Sequence, residues 1–149
     1  MNLLARLDED LKTALRAKDT ARLGSLRMLK SSLKYAAMEK SAGAELAEME
    51  VLAVIRKRIK QCEDAAAGFT KGDRPEQAAQ EKAEIALLET YLPAALPADE
   101  LANIVREAIA ETGATGKAQM GAVMKVVMTK AAGRAEGKAV NLEVQKQLG

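Results

Sequence analysis

The sequence predicts an all-α protein, an N-terminal bundle of about four helices followed by a C-terminal three-helix subdomain. Three observations carry that expectation. The chain is rich in Ala, Leu, Glu, Lys and Arg, 48% hydrophobic and 30% charged, which is a helical composition. Aromatic residues make up 2%, too few for the side-chain packing that β-rich proteins lean on. Apolar residues recur at three- and four-residue spacing along most of the chain, and no strand or internal repeat is convincing.

Leu3, Leu4, Leu7, Leu11, Ala14 and Leu15 give a first amphipathic helix over about 2–17. Asp19 or Thr20 caps a second, with Leu23, Leu26, Leu29, Leu33 and Ala37 on one stripe. Arg27, Lys30 and Lys34 form a basic stripe beside it. A third helix is expected over about 45–67, with Leu52, Ile55, Ile59, Cys62 and Ala66 in near-heptad steps. Arg56, Lys57, Arg58 and Lys60 cluster on it but point around the helix, so they cannot act as one clamp. Gly68 to Pro75 is read as a break, with Phe69 closing the end of the bundle. Asp73, Pro75 and Glu76 start a fourth helix that runs to about Tyr91.

Pro93 and Pro97 cannot lie inside one helix, so a boundary is expected here, giving subdomains 1–92 and 93–149. Asp99 and Glu100 open a fifth helix that Gly113 ends. Thr115 caps a sixth, whose buried face is Met120, Val123, Met124, Val127 and Met128. Gly121 within it suggests a close approach by another helix. The turn Gly133-Arg-Ala-Glu-Gly137 leads to a seventh helix over about 141–148.

Function classes narrow by exclusion. The chain has no histidine and one cysteine, so it offers no Ser-His or Cys-His pair and no ordinary zinc ligand set. It has no phosphate-cradling glycine motif; Thr112 to Lys117 has the wrong spacing for one. No catalytic residue, metal or cofactor is therefore expected. The lone Cys62 reads as a core residue and allows no internal disulfide. Arg6, Asp8, Glu9, Asp10 and Lys12 argue against a secretory signal, and no uncharged apolar run approaches the ~20 residues that span a bilayer. A cytoplasmic location without membrane association is expected.

Charge is patchy. From Thr112 onward six basic residues face two acidic ones, and from Lys12 to Lys40 eight face two. Such patches attract nucleic acid. The candidate RNA-binding residues are Lys117, Lys125, Lys130, Arg134 and Lys138, with Arg27 and Lys34 of the second helix as extensions. The C-terminal segment has no aromatic residue, so contact would be to phosphate, shape and 2′-OH, which favours structured RNA.

Several segments resemble one family. Tyr91-Leu-Pro93, Gly113-Ala114, Met120-Gly-x-x-Met124 and Gly133-Arg-Ala-Glu-Gly-Lys138 look like the YqeY family, the GatB/YqeY group. Leu26-Arg-Met-Leu-Lys30, Ile59-Lys-Gln61 and Phe69 to Gly72 fit it too. Two positions depart from the family pattern: Glu136 stands where Asp is common, and Gln119 where an acid is common. The resemblance implies an all-helical protein of two subdomains, similar to the tail of the B subunit of tRNA-dependent amidotransferases. In those enzymes the tail helps hold tRNA, and the family is associated with glutamine-dependent carbon–nitrogen ligase activity. The expected partner is therefore tRNA or another structured RNA, and the expected role is an accessory module without a complete active site of its own. The alternative is a protein-interaction adaptor that uses the Met-rich sixth helix or the basic second helix.

Overall fold

The structure, a computed structural model, describes residues 2–149. Among them are seven α-helices and no strand, as the sequence predicts. The chain forms two compact units, one closing at Leu92 and the other spanning Pro93–Gly149.

The first unit holds α1 (Leu3–Arg16), α2 (Thr20–Lys40), α3 (Glu48–Lys71) and α4 (Pro75–Glu89). Caps set the first two starts. Asn2 accepts from the Ala5 N–H at 2.8 Å and Asp19 from the Arg22 N–H at 3.1 Å. The core is aliphatic: Leu7, Leu26, Leu29, Ile55 and Leu88 are almost fully buried, with Cys62 and Tyr91 among them. Pro75 stands in the first turn of α4, where its missing N–H costs nothing.

α3 departs from expectation at both ends. It starts at Glu48 and runs through Gly68 to Lys71, so the break falls four residues later than read. One exposed glycine costs a helix roughly 1 kcal/mol and does not end it. The stop comes from Asp73, whose φ of 56° is left-handed, and from the Arg74 N–H donating to the Phe69 carbonyl at 2.8 Å. Phe69 is half-buried and lies outside the core cluster.

The second unit is a three-helix assembly of α5 (Ala98–Thr112), α6 (Met120–Ala131) and α7 (Gly137–Leu148), each packed on the other two. Val105, Ala108, Val123, Val127, Val140 and Val144 are completely buried. Met120, Met124 and Met128 are half-buried and pack against that core, so they do not form an exposed docking stripe. Gly113 ends α5 in the left-handed region, φ 70°, where glycine carries no Cβ penalty.

Three expectations fail here. Thr115 does not cap α6. The helix is entered through a 3₁₀ turn, Lys117–Gln119, in which the Gln119 Oε1 accepts from the Gly116 N–H at 3.1 Å. A side-chain oxygen is all this contact needs, which an amide supplies as well as an acid. Gly121 is not a packing contact either, because a Cβ there would meet nothing within 4 Å. Finally, α7 begins at Gly137 rather than near Asn141, since Glu136 is extended and its carbonyl takes the first helical bond from the Val140 N–H at 3.1 Å.

Candidate nucleic-acid interface

The candidate cations are positioned by α6, the turn that follows it and the first turn of α7. They fall into three groups. Lys117, Lys125 and Lys138 are exposed and form no ion pair among the described residues. Lys117 stands on the 3₁₀ turn, Lys125 midway along α6 and Lys138 in the first turn of α7. The N–H groups of Gly137, Lys138 and Ala139 precede the first intrahelical bond of α7, so the open, partially positive end of that helix lies beside Lys138.

Lys130 is already engaged. Its Nζ lies 3.0 Å from Glu111 and 3.7 Å from Glu107, both on α5. The hydrogen bond to Glu111 pushes its pKa up despite some desolvation. Lys125 and Lys130 are five residues apart, about 140° around a helix of ~3.6 residues per turn, so they flank opposite sides of α6.

Arg134 is not the freely exposed cation its turn suggests. It is half-buried, and its Nε donates to the Ala94 carbonyl at 2.9 Å. The Leu96 N–H in turn donates to the Arg134 carbonyl at 2.9 Å. Arg134 thus clasps the segment 94–96 onto the turn. The turn is sharp because Ala132 and Gly133 both take left-handed backbone, φ 51° and 80°.

Arg27 and Lys34 lie on α2 of the first unit, exposed and without an ion pair among the described residues. Lys30, between them, pairs with Asp8 at 2.9 Å. The structure therefore gathers Lys117, Lys125, Lys130, Arg134 and Lys138 on one unit and leaves Arg27 and Lys34 on the other.

One cluster escaped the sequence reading. Cys62 on α3 meets Glu81 and Glu84 on α4, with ligand-type atoms all within 4.8 Å. Arg58 holds Glu84 by a two-nitrogen fork at 3.0–3.3 Å, in a pair only 21% and 12% exposed. The Cys62 thiol donates to Glu81, and burial, helped by that bond, pushes its pKa up to about 12. At neutral pH this is a protonated, hydrogen-bonded core thiol with a satisfied ion pair next to it. It is neither a nucleophile nor a ready thiolate ligand. No sequence signal marks it, because the residues come from two helices and meet only through packing.

The protein-family model described as Yqey-like protein matches residues 4–148. Curated relatives are named "Altered inheritance of mitochondria protein 41, mitochondrial". The one from Pyrenophora tritici-repentis is 28% identical over 99% of this chain and 81% of its own length. Those from Kluyveromyces lactis and Lachancea thermotolerans are 34% and 32% identical over 69% and 62% of this chain. The chain spans about half the length of these last two, 57% and 49%. The expectation of a cytoplasmic location is corrected by these names, all of which say mitochondrial. The residues that suggested it mark only a reducing compartment, and a lone thiol does not tell the cytosol from the interior of an organelle. No helix among the described residues is long and apolar enough to cross a membrane. The chain belongs to the YqeY family.

Proposed function

We propose that this YqeY-family protein is an accessory module that contacts structured RNA, tRNA first among candidates, through the second unit. The observation that carries the reading is the set Lys117, Lys125 and Lys138, three exposed and unpaired lysines, with the open N-terminus of α7 beside the last of them. Glu107 and Glu111, two of the acids of this unit, face Lys130 and so do not neutralise these lysines. Lysines and backbone amides reach phosphate oxygens without reading bases, which suits a tail that holds a folded RNA while chemistry occurs elsewhere. In the amidotransferases whose tail this chain resembles, that chemistry is glutamine-dependent amide formation. Lys130 would contribute after release from α5, and Arg134 would act through the shape of its turn.

The test is fluorescence anisotropy of labelled tRNA with the full chain, against an unrelated folded RNA. Lys125→Glu/Lys138→Glu is the informative variant, because both side chains are exposed and make no hydrogen bond or ion pair among the described residues. Loss of two phosphate contacts is expected to weaken binding by roughly tenfold or more at low salt. Wild-type affinity in the variant would overturn the proposed surface, and failure of the wild type to bind any RNA would overturn the function.

A further inference from the structure

α2 carries apolar side chains on two faces. Leu26, Leu29 and Leu33 form the core face and are 5% exposed or less. Gly24, Met28, Ser31, Tyr35 and Met38 make a second stripe, in steps of four, three, four and three residues. That is heptad register, the spacing at which one helix presents a continuous seam to another. Every member is exposed, with Met28 at 52%, Tyr35 at 71% and Met38 at 70%. A surface helix normally buries one stripe and leaves the other polar. Large apolar residues gathered in register, rather than scattered singly, mark a face that meets something.

The stripe borders a groove between α2 and α3 of about 360 Å³, whose walls include Met28, Ser32, Tyr35, Val54, Lys57 and Gln61. Small residues at Gly24, Ser31 and Ser32 leave room for an approaching helix, and nothing stands within 4 Å of where a Gly24 Cβ would be.

Charge selects the occupant. Arg27 and Lys34, one heptad apart, edge the stripe on the side away from Ser32 and Ala36, and Lys57 edges the α3 side. All three are exposed and without an ion pair among the described residues. Glu39 is the one acid lining the groove. A second copy of the chain fits poorly. Antiparallel seams would set the Arg27 and Lys34 flanks of the two copies against each other, and parallel seams would match Lys34 with Glu39 but leave both Arg27 and both Lys57 unmatched. A nucleic acid would find one aromatic platform, Tyr35, in a seam otherwise made of methionine, serine and glycine.

We propose that the α2–α3 groove docks an amphipathic helix of a partner protein, apolar at heptad positions and acidic along its flanks. This inference is independent of the RNA reading, because its residues all lie in the first unit.

The probe is a fluorescein-labelled synthetic helix of about four heptads, with Leu at the seam and Glu on the flanks. Its twin carries Lys on the flanks. Anisotropy titration with the full chain is expected to show saturable binding of the Glu peptide and about tenfold or weaker binding of the Lys twin. Tyr35→Ala/Met38→Ala is expected to weaken the Glu peptide by about tenfold or more, and Arg27→Glu/Lys34→Glu to reverse the preference between twins. All four side chains are exposed, so the core is untouched. No saturable binding, equal binding of the twins, or unchanged affinity in Tyr35→Ala/Met38→Ala would overturn the proposal. So would a wild-type dimer in sedimentation that Tyr35→Ala/Met38→Ala splits, which assigns the seam to a second copy. Displacement of the Glu peptide by a poly(U) oligonucleotide would assign it to nucleic acid and overturn it too.

Discussion

The two units bury their cores by different means. The first packs Leu and Ile and places polar contacts at the edge of its core: Arg58 on Glu84, the Cys62 thiol on Glu81, and the Tyr91 hydroxyl donating to Asp10 beneath the Arg6 guanidinium, 4.6 Å from the ring centroid. The second packs mainly Val and Ala with no aromatic residue, and joins its elements through Lys130 on Glu111, the Gln147 amide donating to the Ala102 carbonyl and Arg134 donating to the Ala94 carbonyl. Directional polar contacts and left-handed turns thus occur in both units; the second differs in its smaller core side chains. The difference teaches that one unit can commit some cations to its own fold, Lys130 to α5 and Arg134 to the Ala94 carbonyl, and still leave Lys117, Lys125 and Lys138 without an ion pair among the described residues.

Substitutions sharpen this contrast. The largest effect is expected from the aliphatic core. Leu29→Ala, at a site with no exposure, should destabilise by roughly 2–5 kcal/mol in urea unfolding followed by circular dichroism. Val127→Ala, equally buried but losing fewer carbons, should cost about 2 kcal/mol. A smaller loss for Leu29 than for Val127 would break the contrast.

Next comes the Arg58 fork. Arg58→Ala leaves Glu84 mostly buried without a partner beside Cys62, and should cost roughly 2 kcal/mol, less than a fully buried pair because some exposure remains. The double variant with Glu84→Ala should recover part of that. A double variant no better than Arg58→Ala would show that packing of the arginine stem, not its charge, matters.

Alkaline pH should then separate the wild type from a Cys62→Ala variant. The thiol's pKa in the folded state lies above its ordinary value, so the folded state keeps the proton longer. Its stabilising contribution is complete below about pH 9 and is lost as pH rises toward about 12. Tyr91, pushed up by burial and by its bond to Asp10, adds a loss of the same sign from about pH 10 upward. Stability measured from pH 8 to 11 should fall more steeply in the wild type than in Cys62→Ala. Equal slopes would exclude the thiol as a source.

The smallest effect is a gain. Gly121 is exposed with open space around it, so Gly121→Ala should stabilise by about 1 kcal/mol. A loss there would reveal a close contact that the structure does not show.

The helical class and helices such as α1 and α2 were legible because apolar spacing and caps act locally: Leu7, Leu26 and Leu29 are buried as their periodicity predicts, and Asp19 caps. Helix limits were less legible. Gly68 read as a break, yet it sits inside α3, whose neighbouring bonds outweigh its cost, and Gly137 read as part of the turn, yet it is the first residue of α7. For the candidate surface, the exposure of Lys117, Lys125 and Lys138 follows from their place off the apolar stripe. The engagement of Lys130 by α5 and of Arg134 by Ala94, 40 residues away, depends on tertiary packing and leaves no local trace. The heptad stripe of α2 was present in the sequence, but the leucine stripe of the same helix concealed it.

The central claim is that the cations left free by the second unit meet phosphate. Its most direct measurement is the dependence of tRNA affinity on salt, in the wild type and in Lys125→Glu/Lys138→Glu. Log affinity is expected to fall linearly with log salt in the wild type, with a slope shallower by about one for each lysine lost in the variant. Identical slopes in the two proteins would contradict it.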